Sequence, residues 1–362
     1  MAALVAVLLP PLDAGPPPPA RVVLITLDGA RIEEVFGGLD EAVLRSTLAE
    51  DQTRAAHPLL ERFGGATPAI RREKLMPFLW GTLLREHGSI AGNPAVGSHV
   101  RLSNRHRVSY PGYAELLLGA AHDDRIEGND ARHPPSPTAL EFLRDRLRLT
   151  RTDVGVFASW SMFRWIAESR PGRLTINAGY EALDSPAPAV APLSALQFET
   201  PTPWDSVRHD VYTFRFAMAH LEAHRPRVLY LALGETDDWA HDGRYERVLE
   251  AFHRSDRYLR ELWTWLQADA DYRGRTSLLV TTDHGRGRTS GDWRHHGTAH
   301  PDSAATWMAF VSPAWTMRGE WRDHEPLAAA QAAATLIDWM GIDWREFNPQ
   351  AAPPAAFVAA RD

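Results

Sequence analysis

The sequence predicts an α/β fold built on a mostly parallel central sheet, and three observations carry this. First, the apolar runs Val22 to Leu27, Val228 to Leu233 and Leu278 to Thr282 have strand length and are too continuously hydrophobic to alternate, the pattern of strands covered on both faces. Second, amphipathic segments of helical length lie between them, and strands that alternate with helices build parallel sheets. Third, each run ends at or just before an acid: Asp28-Gly29, Gly234-Glu235-Thr236-Asp237 and Asp283-His284-Gly285. Ligands collect beyond the carboxyl ends of strands in an open parallel sheet, so these acids are expected to converge there.

Taken in order, the chain opens with eight apolar residues, Ala2 to Leu9, followed by Pro10, Pro11 and Pro16 to Pro19. This run is shorter than the ~20 residues a membrane span needs, so no transmembrane segment is expected. It matches the apolar region of a secretory leader without its basic start, or a disordered tail, and the leader reading suggests an exported protein. Residues 1–20 are therefore set apart, with the fold starting at Arg21. Helices are expected over Lys74 to Glu86, Ala139 to Leu149, Trp204 to Ala223, Tyr245 to Leu266 and Leu327 to Met340. Shorter strands are expected at His99 to Leu102, Val154 to Ala158, Leu174 to Asn177 and Trp307 to Val311. A single catalytic domain with insertions over 21–345 accounts for these elements, and the Pro- and Ala-rich tail over 346–362 is expected to be loosely attached.

Composition removes several classes of function. With 39 Lys and Arg against 46 Asp and Glu, the formal net charge is −7, which gives no nucleic-acid-binding footprint. A small-molecule phosphate ester would have to be met by local charge, a metal or a few arginines, because the global field repels it. The chain has no cysteine, which excludes disulfides, thiolate zinc sites, a cysteine nucleophile and the cysteine-derived formylglycine of ordinary sulfatases.

The chemistry concentrates in four places. Asp237 and His241 stand four apart after an apolar run, which on a helical turn puts a carboxylate and an imidazole on one face. Asp283, His284 and a turn-forming Gly285 leave the next strand together. Trp293-Arg294-His295-His296-Gly297 brings more imidazoles a short way on, and this mixture of oxygen and nitrogen donors suits zinc or manganese better than calcium. Ser109-Tyr110-Pro111-Gly112-Tyr113 opens a helix, placing Ser109 at an N-terminus where backbone amides favour anions.

In this order, Asp28, Ser109-Tyr110-Pro111, Asp237-x-x-x-His241, Asp283-His284-Gly285 and His296-Gly297 resemble the motifs of the alkaline phosphatase superfamily, most closely its nucleotide pyrophosphatase/phosphodiesterase branch. The resemblance spans Val22 to Pro313. It implies an alkaline-phosphatase-like three-layer α/β/α sandwich with metals at the carboxyl ends of the strands. It further implies two divalent metal ions, Zn2+ or alternatively Mn2+. Asp237, His241 and His296 would hold one ion, and Asp28, Asp283, His284 and the Ser109 oxygen the other. Ser109 would be the nucleophile of a phosphoric ester hydrolase, phosphatase or phosphodiesterase, working through a phosphoseryl intermediate. Asn129, at 129 − 109 = 20 residues past it, would bind a phosphoryl oxygen.

The sequence also departs from that branch. Ala240 stands where Asp-x-x-Gly-His has glycine, Gly112 and Tyr113 follow the proline, and Asp28 to Ser109 spans 109 − 28 = 81 residues, which suggests an insertion. Arg105 and Arg107 are candidate phosphate ligands by proximity. His295 and His300 are alternatives to His296, while Glu235 and Asp238 are candidate orienting carboxylates. Tyr110, Tyr113, Trp160, Trp165 and Trp293 are candidates for stacking on a substrate. A cofactor-independent phosphoglycerate-mutase-like phosphomutase is an alternative, as is a non-catalytic metal-binding relative. A serine-type sulfatase is disfavoured because Tyr113 takes the place of the arginine its motif requires.

Overall fold

The structure is a computed structural model that describes residues 20–48, 57–185 and 187–360. The leader expected over residues 1–20 lies, except for Ala20, outside the described residues. Among the described residues eleven strands run in chain order: β1 Arg21–Leu27, β2 Gly88–Ala91, β3 Val100–Arg101, β4 Val154–Ala158, β5 Thr175–Ala178, β6 Val228–Leu233, β7 Thr276–Thr281, β8 Ala305–Thr306, β9 Met308–Val311, β10 Gly319–Glu320 and β11 Leu327–Ala328. Eight form the main sheet in the order β10-β2-β9-β7-β1-β6-β4-β5, and β11-β3-β8 form a small second sheet. From β7 to β5 every pairing is parallel, while β9 runs antiparallel between β7 and β2.

The continuous hydrophobicity of the central strands is explained by what covers them. In β1, Val23, Ile25 and Leu27 enter one core and Val22 and Leu24 the other. The first core holds Phe214 and Leu221 of the helix Asp210–His224 and Val248, Leu249 and Leu259 of Tyr245–Ala268. The second holds Leu116 and Leu117 of Ser109–Leu118, Leu140 and Leu143 of Ala139–Arg146, and Leu336 of Gln331–Trp339. The result is three layers, α/β/α, as expected. Each aliphatic side chain fully buried this way contributes about 1.5–3 kcal/mol.

Three expected helices differ from those observed, each for a local reason. Lys74 to Glu86 is split into Pro68–Leu75 and a π-type helix Leu79–His87. Pro77 restricts Met76 before it (φ −128°) and breaks the first helix, and Asp256 accepts from the Phe78 and Leu79 amides where the second begins. The helix expected from Trp204 starts only at Asp210, because Ser206 and Arg208 use their backbone on the end of β4: Ser161 N donates to Ser206 O and Arg208 N to Ser159 O. Leu327 and Ala328 are not helical but form β11 against β3.

The tail is not loose. Ala352 N donates to Gly119 O, Ala355 N to Thr335 Oγ1 and Glu325 N to Val358 O, so proline-rich backbone is tied to the end of the Ser109–Leu118 helix and to Gln331–Trp339. Among the described residues no helix is long and apolar enough to cross a membrane.

Candidate active site

β7, β1 and β6 are neighbours in the sheet and their ends are in register, with Thr26 opposite Thr281 and Leu27 opposite Leu233. Asp283, Asp28 and Asp237 follow these three ends, so adjacency ~4.8 Å apart, not sequence distance, gathers the acids. Gly29 allows the turn after β1 at φ +57°, and a Cβ there would stand 2.2 Å from Asp237 Oδ1. Any side chain at that position would block the convergence.

Each carboxylate is held by one oxygen and leaves the other toward the site. Asp28 Oδ2 accepts from the Tyr113 hydroxyl at 2.9 Å and Asp283 Oδ1 from the Gly29 amide at 3.0 Å. Asp237 Oδ1 is paired with the Arg286 guanidinium, which also donates to the Asp237 carbonyl at 2.9 Å. The remaining oxygens Asp28 Oδ1 and Asp283 Oδ2 are buried without a hydrogen-bond partner, 3.6 and 3.5 Å from His284 Nε2. Asp237 Oδ2 lies 3.1 Å from His241 Nε2.

The imidazoles are oriented to present lone pairs. His284 Nδ1 donates to the Gly285 carbonyl at 2.9 Å, which leaves Nε2 as the acceptor facing the acids and 3.2 Å from Ser109 Oγ. His296 Nδ1 donates to the Arg107 carbonyl at 3.3 Å, and its ring stacks on His284 with centroids 4.0 Å apart. Its Nε2 faces His241 Nε2 at 3.0 Å.

The electrostatics reflect crowded acids. Burial, reinforced by Asp283, Asp237 and Asp238, pushes the Asp28 carboxyl well above the usual range. Burial raises Asp283 as well, against the pull of His284. Burial also acts upward on Asp237, but Arg286 with His241 outweighs it and holds this carboxyl well below the usual range. Burial and the neighbouring His284 lower His296 to about 2, so it is a neutral ring suited to ligation.

These donors fit divalent cations. Two unpartnered buried carboxylate oxygens and converging imidazole lone pairs are arrangements a polar interior tolerates only when something positive completes them. Two groups have ligand atoms within 4.8 Å of one another: Asp28, Asp283 and His284, and Asp237, His284 and His296. His284 thus falls in both groups, whereas the resemblance implies that it holds one ion only. His241 reaches the second group through its contacts with Asp237 and His296.

Ser109, 6% exposed, is the first residue of the helix Ser109–Leu118. Asn129 lies beside it: its Oδ1 accepts from the Tyr110 amide at 2.9 Å. The structure thus brings together all eight residues singled out as catalytic, substrate-binding or metal-ligating.

Other candidates are placed elsewhere. His295 is exposed and stacks loosely on His300, 5.6 Å away, so His296 alone of the three meets His284. Arg105 bonds Asp123 and Asp124, and Arg107 offers the site its carbonyl. Glu235 does not orient a ligand histidine but is bonded to His209 and Arg254. Tyr110, Tyr113 and Trp293 are buried, so three of the five aromatic candidates cannot stack on a substrate.

Two residues take roles in the site that the sequence does not assign them. Arg286 follows Asp283-His284-Gly285 directly, and its position next to a motif at a strand end was the available signal. Tyr113, a stacking candidate in the sequence, instead reaches Asp28 from four residues past Ser109 on one helical face, and that spacing is the clue to it.

No family model matches the sequence and no curated protein matches it. Solved structures do match. The chain is similar to the wild-type alkaline phosphatase PafA at TM-score 0.59 and 10% identity, with 93% of this chain and 98% of that one covered. It is similar to the lipoteichoic acid synthase LtaP from Listeria monocytogenes at TM-score 0.54 and 9% identity, covering 92% and 75%. A third, a protein in the alkaline phosphatase superfamily from Vibrio parahaemolyticus, matches at TM-score 0.51 and 11% identity, covering 94% and 71%. The chain has the fold of the alkaline phosphatase superfamily.

Proposed function

We propose that this chain is a metal-dependent phosphoric ester hydrolase, phosphatase or phosphodiesterase, with Ser109 as its nucleophile and a phosphoseryl intermediate. The observation that carries the reading is the placement of Ser109 Oγ 3.2 Å from His284 Nε2, beside the unpartnered oxygens of Asp28 and Asp283. A serine hydroxyl is a weak nucleophile at neutral pH unless its pKa is lowered. Asp28, Asp283 and His284 would hold one divalent cation and Asp237, His241 and His296 another, Zn2+ by donor type, and this pair would supply the charge that lowers that pKa and that offsets phosphoryl oxygens.

The chain's own groups supply the rest. Ser109 Oγ gives up its proton to solvent and forms the bond to phosphorus as the ester P–O bond breaks, and the alcohol departs with a proton from solvent. Water then attacks the phosphoserine, the P–Oγ bond breaks, phosphorus keeps the water's hydroxyl oxygen, and the proton the water gives up returns Ser109 to its hydroxyl form. Asn129, with Oδ1 fixed on the Tyr110 amide, turns its Nδ2 protons toward a phosphoryl oxygen held next to Ser109. The order of the sequence motifs, which resembles that of the nucleotide pyrophosphatase/phosphodiesterase branch, supports this reading.

The test is turnover of p-nitrophenyl phosphate and bis-p-nitrophenyl phosphate by Zn2+-loaded protein, with p-nitrophenyl sulfate as a control. Loss of activity in Ser109→Ala and after EDTA treatment is expected, and the better ester separates phosphatase from phosphodiesterase. Activity that persists in Ser109→Ala would overturn the nucleophile assignment.

A further inference from the structure

We infer that Arg286 makes the two cation positions unequal: the position of Asp28, Asp283 and His284 binds tightly, and that of Asp237, His241 and His296 binds weakly and exchanges. This rests on the two-cation reading above. Around the first position stand two carboxylates whose protein partners, the Tyr113 hydroxyl and the Gly29 amide, are neutral. That position therefore carries a formal charge of two negative units when its acids are ionised. Around the second, the one carboxylate among its ligands is already paired with a guanidinium that is itself 2% exposed, so ligands and guanidinium together carry no formal charge; Asp238, which also lies near Arg286, is not one of those ligands.

Arg286 cannot swing aside to make room. Its Nη1 donates to the Arg294 carbonyl at 2.6 Å and its Nη2 to the Asp237 carbonyl at 2.9 Å, while its Nε lies 2.9 Å from where a Cβ on Gly29 would be. A cation between Asp237 Oδ2, His241 and His296 meets this fixed positive charge at a range well inside the screening length of salt. His241 is 44% exposed, which opens that position to exchange. The negative charge of a bound phosphoryl group would supply what Asp237 lacks, so the weaker cation is held best together with substrate.

The experiment is competition titration of Zn2+ against a chromophoric chelator, using stripped full-length protein, with stoichiometry fixed by elemental analysis. Expected are two equivalents whose dissociation constants differ at least tenfold. His241→Ala should remove only the weaker. Arg286→Gln should tighten the weaker one by about tenfold or more, because both the repulsion and the competing partner of Asp237 are gone. Arg286→Lys, which keeps the charge, should preserve the wild-type ranking and guards against a misfolded Gln variant, and far-ultraviolet circular dichroism checks both. Two equal affinities, or a weaker equivalent that is unchanged or weakened further in folded Arg286→Gln, would overturn the inference and leave the hydrolase reading standing if the loaded protein turns over ester. Unequal binding as described, without turnover of any ester, would count against the hydrolase reading alone.

Discussion

Gly112 lies against the backbone of Asp283 so closely that a Cβ on it would be 2.2 Å from the Asp283 carbonyl oxygen. The helix that carries Ser109 is thus seated directly on the end of β7, and the contact fixes the distance between the serine and the acids. Gly112→Ala must lift the first turn of that helix or displace Asp283. A shift of about 1 Å costs on the order of 100-fold in rate when it separates reacting groups. The expected outcome is a fall of that size in kcat, with a stability loss of roughly 1–3 kcal/mol from overpacking. Steady-state kinetics and urea unfolding of the same preparation check it, and an unchanged kcat would show that the contact is slack.

The Tyr113 hydroxyl holds Asp28 Oδ2, which aims Oδ1 at His284. In Tyr113→Phe the ring still fills its place against Phe163, 4.7 Å away, but the carboxylate loses its one side-chain donor. Outer partners of metal-ligating groups are typically worth 10–100-fold in metal affinity. Zn2+ binding to the tighter position is expected to weaken by that amount while the weaker one is unaffected. Equal weakening of both would assign Tyr113 to the general packing of the site.

What was legible in the sequence and what was not divides along a physical line. Asp28, Asp237 and Asp283 could be read because each follows a buried strand, and the order of neighbouring strands then does the rest. His296 could be chosen over His295 by the glycine after it. The roles of Arg286 and Tyr113 are not legible because they come from a tertiary approach: Arg286 reaches Asp237 from another loop, and Tyr113 reaches Asp28 from another layer. The split at Pro77 is written in the sequence, since proline ends a helix, but the hydrophobic period runs through it and masks the break. The tail's attachment was hidden because proline and alanine carry no pattern that names a partner.

His220 gives a pH dependence separate from the site. Its Nε2 donates to the Thr152 carbonyl at 2.9 Å, and burial lowers its pKa from 6.5 to about 4, with the Thr152 bond acting against that. In the unfolded chain it takes a proton below pH 6.5, whereas in the folded protein it stays neutral to about pH 4. The unfolded state therefore binds more protons across that window, and stability falls as pH drops through it, by about 1.4 kcal/mol per unit and on the order of 3 kcal/mol in all. In His220→Gln, which keeps a donor for Thr152, this part of the acid sensitivity should vanish. The stability difference between wild type and variant, measured by chemical denaturation of stripped protein, should shift toward the variant between pH 7 and pH 4.5. A difference that is flat with pH would mean that His220 titrates normally in the folded state.

Asn129 has two separable uses. Its Oδ1 holds the Tyr110 amide at the start of the Ser109 helix, and its Nδ2 is the group proposed to meet the phosphoryl oxygen. Asn129→Asp keeps the acceptor for Tyr110 and replaces the donor by a negative charge that repels the substrate. Asn129→Ala removes both functions. If the donor matters, both variants lose about 100-fold or more in kcat/KM, as expected for a preorganised donor to a developing oxyanion. Only Asn129→Ala should then lose helix-cap stability, typically about 1 kcal/mol. Full activity in Asn129→Asp would reduce Asn129 to a cap and move phosphoryl recognition onto the cations and the helix N-terminus.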